Sequence, residues 1–108
     1  MALRNASGQW TIQQSNGWRV DVNLTQQGAE LRGSAHTFSG GDEDNSRELE
    51  GTVFDSGLVL DITWSNARGR YEGTFHPDGT LTGVTFDIQH PQSQATWFCD
   101  FGKRFPPA

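Results

Sequence analysis

Apolar and polar residues alternate with a period of two in eight successive stretches of this chain. No stretch carries an apolar stripe of useful length at helical spacing, so the pattern predicts strands and no helix. Trp10-Thr11-Ile12 opens the series. Trp18-Arg19-Val20-Asp21-Val22-Asn23-Leu24 is its clearest member, with every apolar residue on one face. The stretches Leu31–Thr37, Leu49–Val53, Leu58–Trp64, Tyr71–Phe75, Leu81–Ile88 and Ala95–Phe101 follow.

Two kinds of connection alternate between these stretches. Gln26-Gln27-Gly28, Asp55-Ser56-Gly57 and Pro77-Asp78-Gly79 are short and supply the glycine that tight hairpins require. Ser15-Asn16-Gly17, Phe38–Ser46, Ser65–Arg68 and Gln89–Gln94 are longer and polar. In an up-and-down order, every second connection lies at the same end, so one end is closed by tight turns and the other carries the long loops. Hairpin-length connections favour a meander over a Greek key, which needs a long crossing segment. The expected architecture is therefore all-β: a single antiparallel up-and-down eight-stranded β-barrel, with an interior that is filled or holds one small ligand. Glycines at Gly33, Gly51, Gly73 and Gly83, each two residues after Leu31, Leu49, Tyr71 or Leu81, fall on the inner face. There they permit sharp coiling and leave room for large rings.

Composition narrows this picture. With 108 residues, the chain is one domain, with residues 1–7 and 103–108 expected as terminal tails. Leu, Ile, Val and Phe make up only about a fifth of the residues, near the boundary of disorder. Four Trp and one Tyr move it to the folded side by concentrating apolar area in a few rings. The net charge of −5 and a single lysine, Lys103, make phosphate backbones poor partners, so no nucleic acid is expected. No apolar run reaches the length of a membrane span, and Met1–Asn5 lacks a hydrophobic signal core. A soluble protein without membrane association is expected, and the compartment stays open. Asn5-Ala6-Ser7 and Asn23-Leu24-Thr25 match the glycosylation sequon, a triplet that arises easily by chance. The lone Cys99 excludes an internal disulfide and a cysteine-based zinc site.

The pattern resembles the calycin barrels, and more closely the avidin and streptavidin family. Gly8-Gln9-Trp10, Leu31-Arg32-Gly33, Ile62-Thr63-Trp64 and Tyr71-Glu72-Gly73 carry the resemblance. It implies a closed barrel that binds a small molecule at its open mouth, often as a dimer or tetramer. The biotin seats transfer poorly. Ile12 stands where that family has Asn, Asn16 takes a Ser position, and Ala35 replaces a Tyr, while Thr37 and Trp64 match and Tyr71 replaces a Phe. A buried ureido group left without partners costs about 1–3 kcal/mol per unpaired group. Biotin is therefore not the expected ligand.

Trp10, Trp18, Trp64, Tyr71, Phe75 and Trp97 share the inner face, and Trp18, Trp64, Tyr71 and Trp97 are expected near the long-loop end. Flat apolar walls with a few polar groups are what small-molecule sites use. The expected ligand site is Asn16, Trp18, Thr37, Trp64, Tyr71, Asp87 and Trp97, with Asn66 and His90 at the same end. Asp87 faces inward if Leu81 and Gly83 do; a β-bulge near Gly83 would reverse it. The same phase turns Phe54, Val59, Val84, Phe86, Ile88 and Phe98 outward, and a contiguous patch of that kind predicts a homo-oligomer.

Ser39–Ser46 is acidic and glycine-rich. It reads as a solvated loop, as a lid like that of the resembled family, or as a weak Ca²⁺ site through Asp42 and Asp44, though without the bidentate Glu of an EF-hand. No nucleophile elbow, paired metal-binding histidines or phosphate loop is present, so no catalytic residue, metal or cofactor is expected. His36 is predicted outward, His76 near a turn, and Cys99 as a small buried hydrophobe. The leading expectation is a small-molecule-binding barrel. The alternatives are a barrel-type cyclase or isomerase using Tyr71 or Asp87 as acid or base, and a carbohydrate-binding module with an exposed Trp.

Overall fold

The computed structural model describes residues 3–108 and contains nine strands, with no helix among the described residues. They are β1 (Gly8–Gln14), β2 (Arg19–Gln27), β3 (Glu30–Ser39), β4 (Asp42–Asn45), β5 (Glu48–Phe54), β6 (Gly57–Thr63), β7 (Arg68–Phe75), β8 (Leu81–Asp87) and β9 (His90–Cys99). All pairings are antiparallel. Neighbours run in the order β2-β1-β9-β8-β7-β6-β5-β3, and β2 pairs with β3 to close the ring. The closed eight-stranded barrel expected from the alternation is thus present, with β4 as one extra strand paired to β3.

β4 occupies the stretch expected to be a long loop. Its residues continue the strand that becomes β5, across one extra residue. His36 faces Asn45, whereas Arg32 faces Glu50 where an unbroken register would bring Leu49. At the break, Ser46 donates its N–H to the Ala35 carbonyl, and its hydroxyl accepts the Ala35 N–H, both at 2.8 Å. A bulge of this kind reverses which face looks inward, and so the acidic sequence hid a strand: its alternation is out of step with Leu49–Val53.

The last two strands also differ from expectation. Gln89–Gln94 is not an open loop, because Ile88-Gln89 forms a tight turn and β9 begins at His90. Phe86 faces Gln94 while Asp87 faces His90, so Pro91–Ser93 bulge out of the ladder. β9 ends at Cys99 rather than Phe101. Phe101 has a left-handed φ of 63° and is 78% exposed, so it does not share the inner face with Trp97. Its N–H bonds the Asp100 carboxylate, which starts the reversal.

That reversal carries the C-terminal residues across the tight-turn end. The stretches 3–7 and 103–108 both pack there. Phe105 is fully buried against Trp10 (5.0 Å, edge-on) and Phe75 (5.5 Å). Its backbone N–H donates to Gly79 and its carbonyl accepts from Arg4. Bonds from Asn5 to Pro106 and from Ala108 to Leu3 pin the two termini together. Above this plug the inner faces alternate as read from sequence. Ile12, Val20, Val22, Leu31, Leu49, Leu58, Leu60, Ile62 and Leu81 are buried in one core.

Trp97 fills the middle of the barrel. Gly73 and Gly83 face each other across β7 and β8, and a Cβ on either would come within 2.8 Å of the Trp97 ring. The indole N–H bonds the Val84 carbonyl at 2.9 Å. Of the outward apolar residues, Phe54, Val84 and Phe98 are exposed, whereas Phe86 and Ile88 are half-buried. Val84 and Phe98 lie close on β8 and β9, but Phe54 sits at the β5–β6 turn, with β6 and β7 between.

Phe105→Ala should cost roughly 3–4 kcal/mol of unfolding free energy, read as a lowered midpoint in urea. A loss below about 0.5 kcal/mol would mean that the C-terminal segment is not part of the cooperative core.

Candidate functional site

Above Trp97 the barrel stays open, in a cavity of about 440 Å³ at the end away from the Phe105 plug. That size is typical of small-molecule sites. Six of the seven residues expected at the mouth line it: Asn16, Trp18, Thr37, Trp64, Tyr71 and Asp87, and Asn66 lies with them. Trp97 does not. Because β9 starts at His90, Trp97 sits well down the strand, with its ring closed over by Gly73 and Gly83, and it forms part of the packing beneath Tyr71. Trp10, at the far end, belongs to the plug.

The walls follow from strand alternation. Trp18 precedes Val20 on the inner face of β2, and Trp64 follows Ile62 just beyond β6. Gly69 leaves room between Tyr71 and Trp64. A Cβ there would touch Tyr71 Cε1 at 3.4 Å and Trp64 Nε1 at 3.7 Å, ordinary contact distances. On β8, Leu81, Gly83, Thr85 and Asp87 form the inner row, since the bulge falls after Phe86 and not at Gly83.

A chain of hydrogen bonds organises the floor. Tyr71 donates its hydroxyl proton to Gln14 Oε1 at 2.7 Å. Gln14 donates through Nε2 to Asn16 Oδ1 at 3.1 Å, and the same Asn16 oxygen accepts the Trp18 N–H. Burial pushes the Tyr71 hydroxyl up to about 12, so it is neutral at physiological pH. The Thr37 hydroxyl donates to the Arg19 carbonyl at 2.9 Å and Thr85 to the Arg70 carbonyl at 2.8 Å. Gln14 and Thr85 were absent from the expected site. The row Trp10-x-Ile12-x-Gln14 already placed Gln14 inward, next after two buried residues.

Two carboxylates stand at the rim. Asp87 accepts the Gln89 N–H at 2.9 Å, and His90 Nδ1 lies 3.4 Å from its other oxygen. Asp44, on β4, accepts the Ser65 hydroxyl at 2.6 Å and the N–H groups of Ser65 and Asn45 at 2.9 Å. The Ser65 hydroxyl, then its N–H, hold this carboxyl below its ordinary value of 3.8. These bonds tie the β3–β4 hairpin to the β6–β7 loop across the mouth. They use Asp44 for tethering, and no cluster of His, Cys, Asp or Glu that could hold a metal occurs among the described residues.

Elsewhere, Cys99 is packed against the core, and burial pushes its thiol up to about 12, which denies it a thiolate. A larger groove of about 670 Å³ runs along the outer wall of β1–β3. Several of its polar groups are matched to one another, Thr11 with Asp21, His36 with Asn45 and Arg19 with Asp100, while Arg19 Nε has no partner. The mouth, with its unfilled aromatic walls, is the better candidate.

Tyr71→Phe should leave the Gln14 oxygen without its donor and cost about 1–2 kcal/mol, measured by chemical unfolding. An unchanged midpoint would show that the bond contributes nothing. For Asp44, whose acidity is raised in the fold, the tether is complete above the ordinary aspartate range and is lost as pH falls through the lowered value. Amide protection factors in β4 should hold from neutral pH to about 4 and fall below it, and Ser65→Ala should lower them at neutral pH. Protection that is independent of both would remove the tether.

No protein-family model, no curated protein and no solved structure matches this chain.

Proposed function

We propose that this chain is a small-molecule-binding barrel whose ligand enters between the long connections and rests on Tyr71 and Gln14. One observation carries this reading: a side-chain-filled barrel would have been completed by the same alternation that buries Trp97, yet the mouth end keeps a cavity of about 440 Å³ lined by Trp18 and Trp64. The polar groups around it are held in fixed orientations by hydrogen bonds among themselves, which reduces the ordering cost of binding. Ile12 and Ala35, both buried, fill positions where a biotin-type ureido site needs polar groups, so the ligand is of another kind.

The geometry gives less to the alternatives. Tyr71 already donates its hydroxyl in a hydrogen bond to Gln14 and does not ionise near neutrality, and one oxygen of Asp87 is engaged in its own turn. A sugar-stacking platform calls for an exposed indole, whereas Trp10 and Trp97 are buried and Trp18 and Trp64 are half-buried.

Tryptophan fluorescence and thermal-shift titration against a chemically diverse panel should reveal saturable ligands that raise the melting temperature. Gly69→Ala places a methyl group between Tyr71 and Trp64 at contact distance without a clash. It should keep the fold and weaken such ligands by about tenfold or more, roughly 1.4 kcal/mol. If no compound shifts either signal, or if Gly69→Ala leaves every affinity unchanged, the mouth is not the binding site.

A further inference from the structure

The hydroxyl groups of the cavity share a direction. Tyr71, Thr37 and Thr85 each donate their only proton to the protein, to Gln14, to the Arg19 carbonyl and to the Arg70 carbonyl. What they turn towards the cavity is lone pairs. A hydroxyl has one proton to give and two pairs to accept with, so this part of the wall offers acceptors.

The rim is acidic on balance, with two carboxylates, Asp44 and Asp87, against one guanidinium, Arg68. Asp44 and Asp87 both line the cavity, and among the described residues neither lies within ion-pair distance of a Lys or Arg. Backbone N–H groups and the Ser65 hydroxyl fix their positions, with His90 beside Asp87 and the more distant charge of Arg47 acting on Asp44, and neither carboxylate is locked into a Lys or Arg ion pair. Trp18 and Trp64 also line the cavity, and indole rings attract cations through their negative quadrupoles. Apolar walls and a polar floor by themselves would suit many molecules. Lone pairs, two anchored carboxylates and two indoles together select by charge. The protein's excess of 13 acidic over 8 basic residues adds an attractive long-range field for a cation.

Resting on the reading of the mouth as a ligand site, we propose that its ligand is an organic ammonium ion, an amine with N–H donors on an aromatic or alkyl body. The ammonium group reaches the oxygens of Asp87 and Tyr71, and the body lies against Trp18 and Trp64.

Three probes of one size and differing charge test this: phenethylamine, protonated at neutral pH, the uncharged phenethyl alcohol, and phenylacetate. Titrated calorimetrically into the protein at low ionic strength, phenethylamine should bind about tenfold or more tightly than the alcohol, with phenylacetate weakest. Asp87→Asn keeps an oxygen for the Gln89 N–H while removing the charge. It should abolish most of the amine's advantage and leave the alcohol's affinity nearly unchanged. Trp64→Leu should weaken the amine by roughly 3- to 30-fold. Equal or tighter binding of the alcohol or of phenylacetate overturns the ammonium assignment and leaves the cavity reading standing. Silence from all three also overturns it, and the diverse panel then decides separately whether the mouth binds anything.

Discussion

Closure of eight strands creates a single interior, and the supply of side chains that can fill it governs everything else in this molecule. An eight-stranded barrel is just wide enough for side chains to meet across its axis. Here most of the buried core residues are Leu, Ile or Val, and a few rings take up much of the remaining volume. Trp97 laid over Gly73 and Gly83 closes the middle. Phe105, brought in by the C-terminal segment, closes the tight-turn end against Trp10 and Phe75. The glycines are as necessary as the rings, because a Cβ at Gly83 would fall 2.0 Å from the Glu72 carbonyl oxygen and 2.7 Å from Trp97. Among the described residues no third plug closes the other end, and the cavity is the consequence.

An open end in a protein this small has to be held open. Several polar groups at the mouth are bonded within the protein, so much of their desolvation is compensated without a ligand. The Tyr71–Gln14–Asn16–Trp18 chain fixes the floor and one wall. Asp44 and Ser65 hold the β3–β4 hairpin beside the opposite loop. The same arrangement sets the electrostatics of the site, since hydroxyls that have spent their protons inward on the protein present only oxygen lone pairs to a guest.

Much of this was legible in the sequence, and the misses have definite causes. Trp18, Trp64, Tyr71 and Asp87 were placed at one mouth by strand phase together with the alternation of short and long connections. Gln14 could have been added by extending Trp10-x-Ile12 by one step, but a glutamine on an inner face is read as a strand end. Trp97 was misplaced in height because Pro91 and three polar residues made the start of β9 look like a loop. β4 was hidden by its acidic composition, which disfavours strands, and by the bulge at Ser46, which puts it out of phase with β5. Phe101 was assigned inward by continuing the alternation past Asp100, where the backbone turns left-handed.

The sequence by itself determined which side chains face inward along most of each strand. That property is local: successive side chains of an extended backbone point to opposite faces whatever the strand pairs with. It also determined the up-and-down order, through glycine-bearing turns that permit only hairpins. Tertiary structure decided how high each inward residue stands along the barrel axis. That height depends on register and on bulges, which are set by pairing between residues far apart in the chain. The difference between Trp64 as a wall and Trp97 as a floor support is of this kind, and so is the burial of Phe105. A terminal phenylalanine carries no periodic signal, and only the closed barrel provides the hole that it fills.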